Sequence, residues 1–311
     1  MSTSDLTRAD QVLPAATAET VLSDTDLAAL RRAVETLERP SLAARLSAAA
    51  GAPLDIIGRS LPAPVTEAVG RSTEAAMRGA MRVALATLPR TELAGAEGDG
   101  LGTATAKMEG RVARLLGSGD AKHKAMAALS GAVGGAFGLA TLAVELPVST
   151  TLMLRSIAEI AREEGEDLET PEGVLACVQV FALGGRAPAA EAGSALTESG
   201  YFAVRAALAK TLAEAARYAG SKTLLDQSAP ALIRFTAQIA ARFGIVVSQK
   251  VAAQAVPILG AFGGAAVNAA FMNHFQSTAR AHFTVRRLER IYGTAPVRAA
   301  YELEKAALGL A

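Results

Sequence analysis

AMAALSGAVGGAFGLATLAVELPVSTTLML, residues 125–154, is the stretch whose reading decides the fold. It is apolar and glycine-rich, with one charge, Glu145, followed by Pro147. Gly131, Gly134, Gly135 and Gly138 fall at i, i+3, i+4 and i+7, one face of a helix at about 100° per residue. Leu129, Val133, Phe137, Ala140 and Val144 lie roughly opposite. Four interior glycines cost a helix roughly 1 kcal/mol each relative to alanine, and the usual offset is close approach of another backbone. A second stretch, residues 251–279, repeats the device with Gly260, Gly263 and Gly264 on one face. The pattern predicts two Gly-rich helical segments packed at the centre of the protein.

A helix continued past Gly138 carries Glu145 onto the glycine face. Asn268, His274, Thr278 and His282 fall on or beside the glycine face of the second stretch. Two readings follow for Glu145. Either the flat faces enclose a small polar cluster of Glu145, Asn268 and His274, or the helix ends at Glu-Leu-Pro and Glu145 reaches water.

The 311 residues carry 31 bases and 30 acids, so no global charge draws the chain to nucleic acid. Half of the residues are apolar, chiefly alanine, with no Trp and few aromatics. No sustained period-2 run of β-branched and aromatic residues occurs, which leaves an all-α fold, read as one large helical domain. Cys177 is the single cysteine. It excludes an intrachain disulfide and a thiolate metal cluster, and its apolar surroundings, VLACVQVFALGG, make it a buried, inert thiol. Residues 1–22 read as a polar tail without a basic and apolar leader, so the cytoplasm is the expected compartment. The domain is then 23–311, with a Gly-rich loop near 92–105 as the natural place for a cut.

Local signals set the helices. Ser23 offers a cap for DTDLAALRRAVETLE. Residues 64–88 form an amphipathic helix. Pro147 precedes a helix over VSTTLMLRSIAEIARE, closed by Gly165. Thr170-Pro171-Glu172 opens the next. Later helices are expected at 201–218, at 230–243 ending at Gly244, at 245–256, over 258–292 ending at Gly293, and at 297–308.

Charge is segregated along the chain. Residues 159–172 hold seven acids and one Arg, and residues 222–290 hold eight bases against Asp226 and Glu289. One reading is that these solvated helix ends pair with each other. The other is a basic face for anionic lipid headgroups, formed by Arg280, Arg286, Arg287 and Arg290. The Gly-rich stretch is long enough to span a bilayer, but its apolar residues contribute about −3 kcal/mol and one central acid costs about as much. Burial in a bundle, interfacial contact and spanning all fit.

No His-Glu-x-x-His, Gly-x-Ser-x-Gly or Cys-x-x-Cys occurs. His274 and His282 are eight residues apart, a poor match to the i, i+3 or i+4 spacing of helical metal ligands, so neither a metal nor another cofactor is expected. Glu145 with either histidine remains the only constellation for a metal-dependent hydrolase.

Three blocks resemble the EcsC family: GAVGGAFGLATLAVELPVSTTLMLRSIAEIAREEGEDLETPE (131–172), VPILGAFGGAAVNAAFMNHFQSTARAHFTVRRLERIYG (256–293) and LERPSLAARLSAAAGAPLDIIGRSLP (37–62). The resemblance runs from about Leu27 to Tyr301. It implies a bacterial helical protein with no firmly assigned activity, in a family named after a protein encoded beside an ABC transporter. Carried position by position, its recurring residues are Gly134, Gly135, Gly138, Glu145 and Pro147, then Pro257, Gly260, Asn268, Arg286 and Leu288. The acid is often Asp in relatives, so Glu145 keeps the carboxylate with a longer reach. The expected function is that of a non-enzymatic, peripheral membrane protein at the cytoplasmic face. It would bind lipid, or serve a membrane system such as an ABC transporter. The alternatives are the hydrolase above and a helical scaffold for a protein partner.

Overall fold

The computed structural model describes residues 22–38, 61–87, 142–184, 200–221, 229–255 and 264–310. Gly131, Gly134, Gly135, Gly138, Gly260 and Gly263 lie outside these residues, as do the 92–105 loop and the tail before residue 22. The described residues form eight α-helices and no strand: α1 (Asp24–Glu38), α2 (Ala63–Ala86), α3 (Leu142–Glu163), α4 (Pro171–Leu183), α5 (Tyr201–Ser221), α6 (Pro230–Ala255), α7 (Gly264–Tyr292) and α8 (Thr294–Ala307).

Local chemistry sets most of the ends. Ser23 caps α1, its Oγ accepting from the Asp26 amide at 3.2 Å and donating to the Asp26 carboxylate at 2.9 Å. Asp24 and Asp26 sit in the first turn, where the helix dipole favours acids. Thr170 caps α4 by accepting from the Gly173 amide at 3.2 Å, with Pro171 in the first helical position. α3 closes in a Schellman motif: Gly165 adopts φ +73°, the Glu166 amide donates to the Ala161 carbonyl at 2.8 Å, and the Gly165 amide to Arg162 at 2.9 Å. Gly293, at φ +90°, separates α7 from α8.

Several boundaries differ from expectation, among them α5, which runs on to Ser221 rather than ending at residue 218. Pro147 lies inside α3 rather than ahead of a new helix, so α3 does not end at Glu-Leu-Pro. Gly244 does not divide α6, which runs unbroken for 26 residues. A β-carbon at Gly244 would stand 3.8 Å from the Thr73 methyl of α2, so this position is where α2 and α6 pass close together. Burial of Phe243, Val246 and Val247 around it outweighs the roughly 1 kcal/mol that a glycine costs a helix. α8 starts at Thr294, three residues early, because Pro296 fits in a first turn, where no donor is lost.

α4 is the hub. Every residue from Gly173 to Ala182 is buried. Phe181 meets Phe243 of α6 and Phe275 of α7 at centroid distances of 5.1 and 5.4 Å. The main core joins α2 through α7. A smaller core joins Leu30, Ala33 and Val34 of α1 to Tyr201, to Ala281, Val285 and Leu288 of α7, and to Val297 and Tyr301 of α8. α7 belongs to both, with Phe271, Met272 and Phe275 in the main core. Cys177, in α4, is buried, and burial pushes its thiol up to about 12.

Candidate functional site

Three polar assemblies are built into these cores. The deepest is a single ion pair. Lys250 Nζ of α6 donates to Glu145 Oε1 of α3 at 2.6 Å, with side-chain exposures of 0% and 6%. The ammonium also lies 5.1 Å from the centroid of the Phe271 ring, a cation–π arrangement. Burial pulls the Lys250 pKa down, and Glu145 works in the opposite direction. Of the two readings for Glu145, the one that sends it to water fails, since the carboxylate is buried, and neither named Lys250 as its partner. Lys250 is a lone base in the apolar run VVSQKVAAQAV, and a charge fully buried in such a run needs a counter-ion.

The second assembly joins the acidic turn after α3 to α7. Arg286 donates to Glu166 through Nε at 3.0 Å and through Nη2, and Arg290 Nη1 donates to the same carboxylate. Arg290 also donates to the Glu164 carbonyl at 2.7 Å. Arg287 bridges Glu164, at 2.9 Å, and Asp26 of α1, at 3.3 Å. Arg280 stands 3.8 Å from Glu163. Burial disfavours the charge on Glu166, but Arg286 and Arg290 outweigh it and hold the carboxyl below its ordinary value. The segregated charges of the sequence therefore meet each other, and the Gly165 turn presents Glu164 and Glu166 to the arginines of α7.

The third assembly surrounds His282. Arg205 makes two 2.9 Å bonds to Glu289 and donates to the Tyr201 hydroxyl at 3.1 Å. That hydroxyl shares a 2.9 Å hydrogen bond with His282 Nδ1, whose direction follows the imidazole tautomer. Its Nε2 has no hydrogen-bond partner among the described residues. Burial, then Arg205 and Arg286, hold the His282 pKa well below its ordinary value, so the ring is neutral. Glu38 accepts from the Tyr201 amide at 3.1 Å and from the Tyr301 hydroxyl at 2.9 Å, tying α1 to α5 and α8.

The two histidines engage partners other than Glu145. Glu145 pairs with Lys250. Asn268 is buried in α7, one turn before Phe271. His274 donates through Nε2 to the Gly184 carbonyl at 2.7 Å. His282 belongs to the tyrosine network. Eight helical residues put the two histidines about 12 Å apart along α7. No group of three or more His, Cys, Asp or Glu side chains able to hold a metal occurs among the described residues.

The bundle, with its acidic turn clasped to a long C-terminal helix, defines an all-helical protein whose polar side chains mainly hold helices together. The family model described as the EcsC protein family matches residues 24–288, and the chain belongs to that family. No curated protein and no solved structure matches the chain.

Proposed function

We propose that this chain is a non-enzymatic helical protein that meets a membrane peripherally, through the exposed face of α3 that carries Val144 and Val148. The observation that carries the reading is the outer stripe of α3. It runs Val144, Val148, Thr151, Arg155, Glu159. Val144 is 71% exposed and Val148 48%. The stripe is apolar at one end and charged at the other, and its apolar end continues in sequence from the Gly-rich residues 125–141. Exposed valines next to an apolar run of that length are what an interfacial contact requires.

The internal pairing changes the expected mode of binding. Arg286, Arg287 and Arg290 engage carboxylates of the same chain, so headgroup attraction contributes little. Arg280, the most exposed of the four with 51% of its side chain accessible, is the arginine with reach beyond the bundle. α6 is long and apolar enough to cross a membrane, with a mean hydropathy of 1.3 over Pro230–Gln254. Half of that window is buried, and no residue from Arg242 to Ala253 is exposed, so core packing accounts for its composition. The occupant of the surface is lipid, and the compartment is the cytoplasmic face. Flotation of the purified chain with neutral and anionic vesicles tests the reading. Co-flotation that persists at high salt is expected, and failure to float with either vesicle refutes it.

A further inference from the structure

Tyr201 is where four helices meet. Its backbone amide donates to Glu38, the last residue of α1, at 3.1 Å. Its ring stacks on Tyr301 of α8, with centroids 5.6 Å apart, and Tyr301 donates to the same Glu38 oxygen at 2.9 Å. A β-carbon at Gly200 would stand 3.9 Å from both Glu38 Oε1 and Lys305 Nζ, so Lys305 of α8 shares this corner. The Tyr201 hydroxyl bonds His282 of α7 and accepts from Arg205 of its own helix. One residue of α5 thus couples α1 and α8 to α7 within the smaller core.

The surroundings of His282 suit a neutral ring only. The side chain is fully buried. An imidazolium carries two N–H donors. Nδ1–H would have to donate to the Tyr201 hydroxyl, which already accepts from Arg205 at 3.1 Å, and that hydroxyl could no longer donate to the ring. Nε2–H would find no acceptor among the described residues. The carboxylates around the network have other partners: Glu289 holds Arg205, Glu166 holds Arg286, and Glu38 accepts from the two tyrosines. Burial pushes the hydroxyls of Tyr201 and Tyr301 up, so neither supplies a negative charge. Arg205 and Arg286 oppose a positive ring. A buried charge without a counter-ion is costly.

We propose that His282 is a proton-sensitive joint: when its ring gains a second proton, Tyr201 parts from it, and α1 and α8 loosen from α7 while the main core stays closed. Closed, the ring resists the proton. Open, water solvates it and it titrates near its ordinary 6.5. The closed form therefore keeps its full stability above 6.5 and loses it relative to the open form as pH falls from there towards the folded value. One proton taken up on opening changes the opening equilibrium by a factor that approaches ten per pH unit. The joint stands without the membrane reading.

Hydrogen exchange of the full chain, read by mass spectrometry between about pH 7.5 and 5.5, tests the joint; the window lies above the ordinary carboxyl range of about 4. Rates are expressed as protection relative to the unfolded chain, which removes the intrinsic pH dependence of exchange. Protection of the amides bonded within their helices, 28–38 in α1 and 298–307 in α8, falls about tenfold across the window. Protection of amides 177–182 in α4 holds. His282→Gln, which cannot gain the proton, abolishes the fall. His274→Gln, elsewhere on α7, leaves it in place. The inference is overturned if native protection in α1 and α8 does not fall, if α4 falls in step with them, or if His282→Gln keeps the fall. Should His282→Gln fail to fold, the native profile and His274→Gln decide, since loss of the fall on removing His274 assigns it to the other histidine and overturns the joint.

Discussion

Glu166→Gln removes one charge and leaves the shape of the acidic turn intact. The Glu166 side chain is 6% exposed and receives Arg286 and Arg290, whose side chains are 24% and 39% exposed. Breaking a fully buried pair costs 3–5 kcal/mol in the general case, whereas exposed pairs are worth about 0–1 kcal/mol. One buried partner facing two half-buried ones falls between, so the expected loss is about 2 kcal/mol. Denaturant unfolding at neutral pH measures it, with an unchanged slope showing that the unfolded state is the same. The sign of the pH dependence is fixed. The folded Glu166 carboxyl titrates below its ordinary value of 4.5. Its contribution is complete above that value and is lost as pH falls through the folded value. The variant therefore loses less stability than the native chain on acidification below pH 4.5. A loss under about 0.5 kcal/mol at neutral pH, within the range of ordinary surface substitutions, would refute the clamp as a stabilising contact.

Two further predictions concern α4. A β-carbon at Gly173 would sit 1.9 Å from the Asp167 carbonyl oxygen, so Gly173→Ala must displace backbone and should cost about 2 kcal/mol or more by thermal or chemical unfolding; a neutral effect would contradict the packing of this turn. Cys177, with its thiol pushed up to about 12, should resist thiol-specific reagents in the native chain and react once denatured, whereas rapid native labelling would show that α4 is open to solvent.

Short-range features of the fold were readable because one or two residues determine them. Ser23, Thr170-Pro171, Gly165 and Gly293 each mark an end through a cap, a proline or a positive φ. Pro147 and Gly244 misled because their costs, about 3 and about 1 kcal/mol, are local, while burial of the surrounding helix is larger. The acidic and basic blocks were visible in the sequence, but their pairing depends on the Schellman turn aiming Glu164 and Glu166 at α7. Glu145 stood out as the one charge in an apolar run. Its partner lies 105 residues away, a separation that helical periodicity cannot bridge. The same holds for His282, whose tyrosine and arginine neighbours come from α5, and for Glu38, which reaches Tyr301 across 263 residues.

Peripheral contact through the exposed valine face of α3 is most directly tested by flotation of the native chain beside a Val144→Asp/Val148→Asp variant, on neutral and anionic vesicles at low and high salt. Both valines are exposed, so aspartate there leaves the core intact while placing charge on the apolar stripe. The account predicts that the native chain floats with both vesicles at both salts and that the variant does not float. Absence of flotation by the native chain, or flotation that the two aspartates leave unchanged, would contradict it.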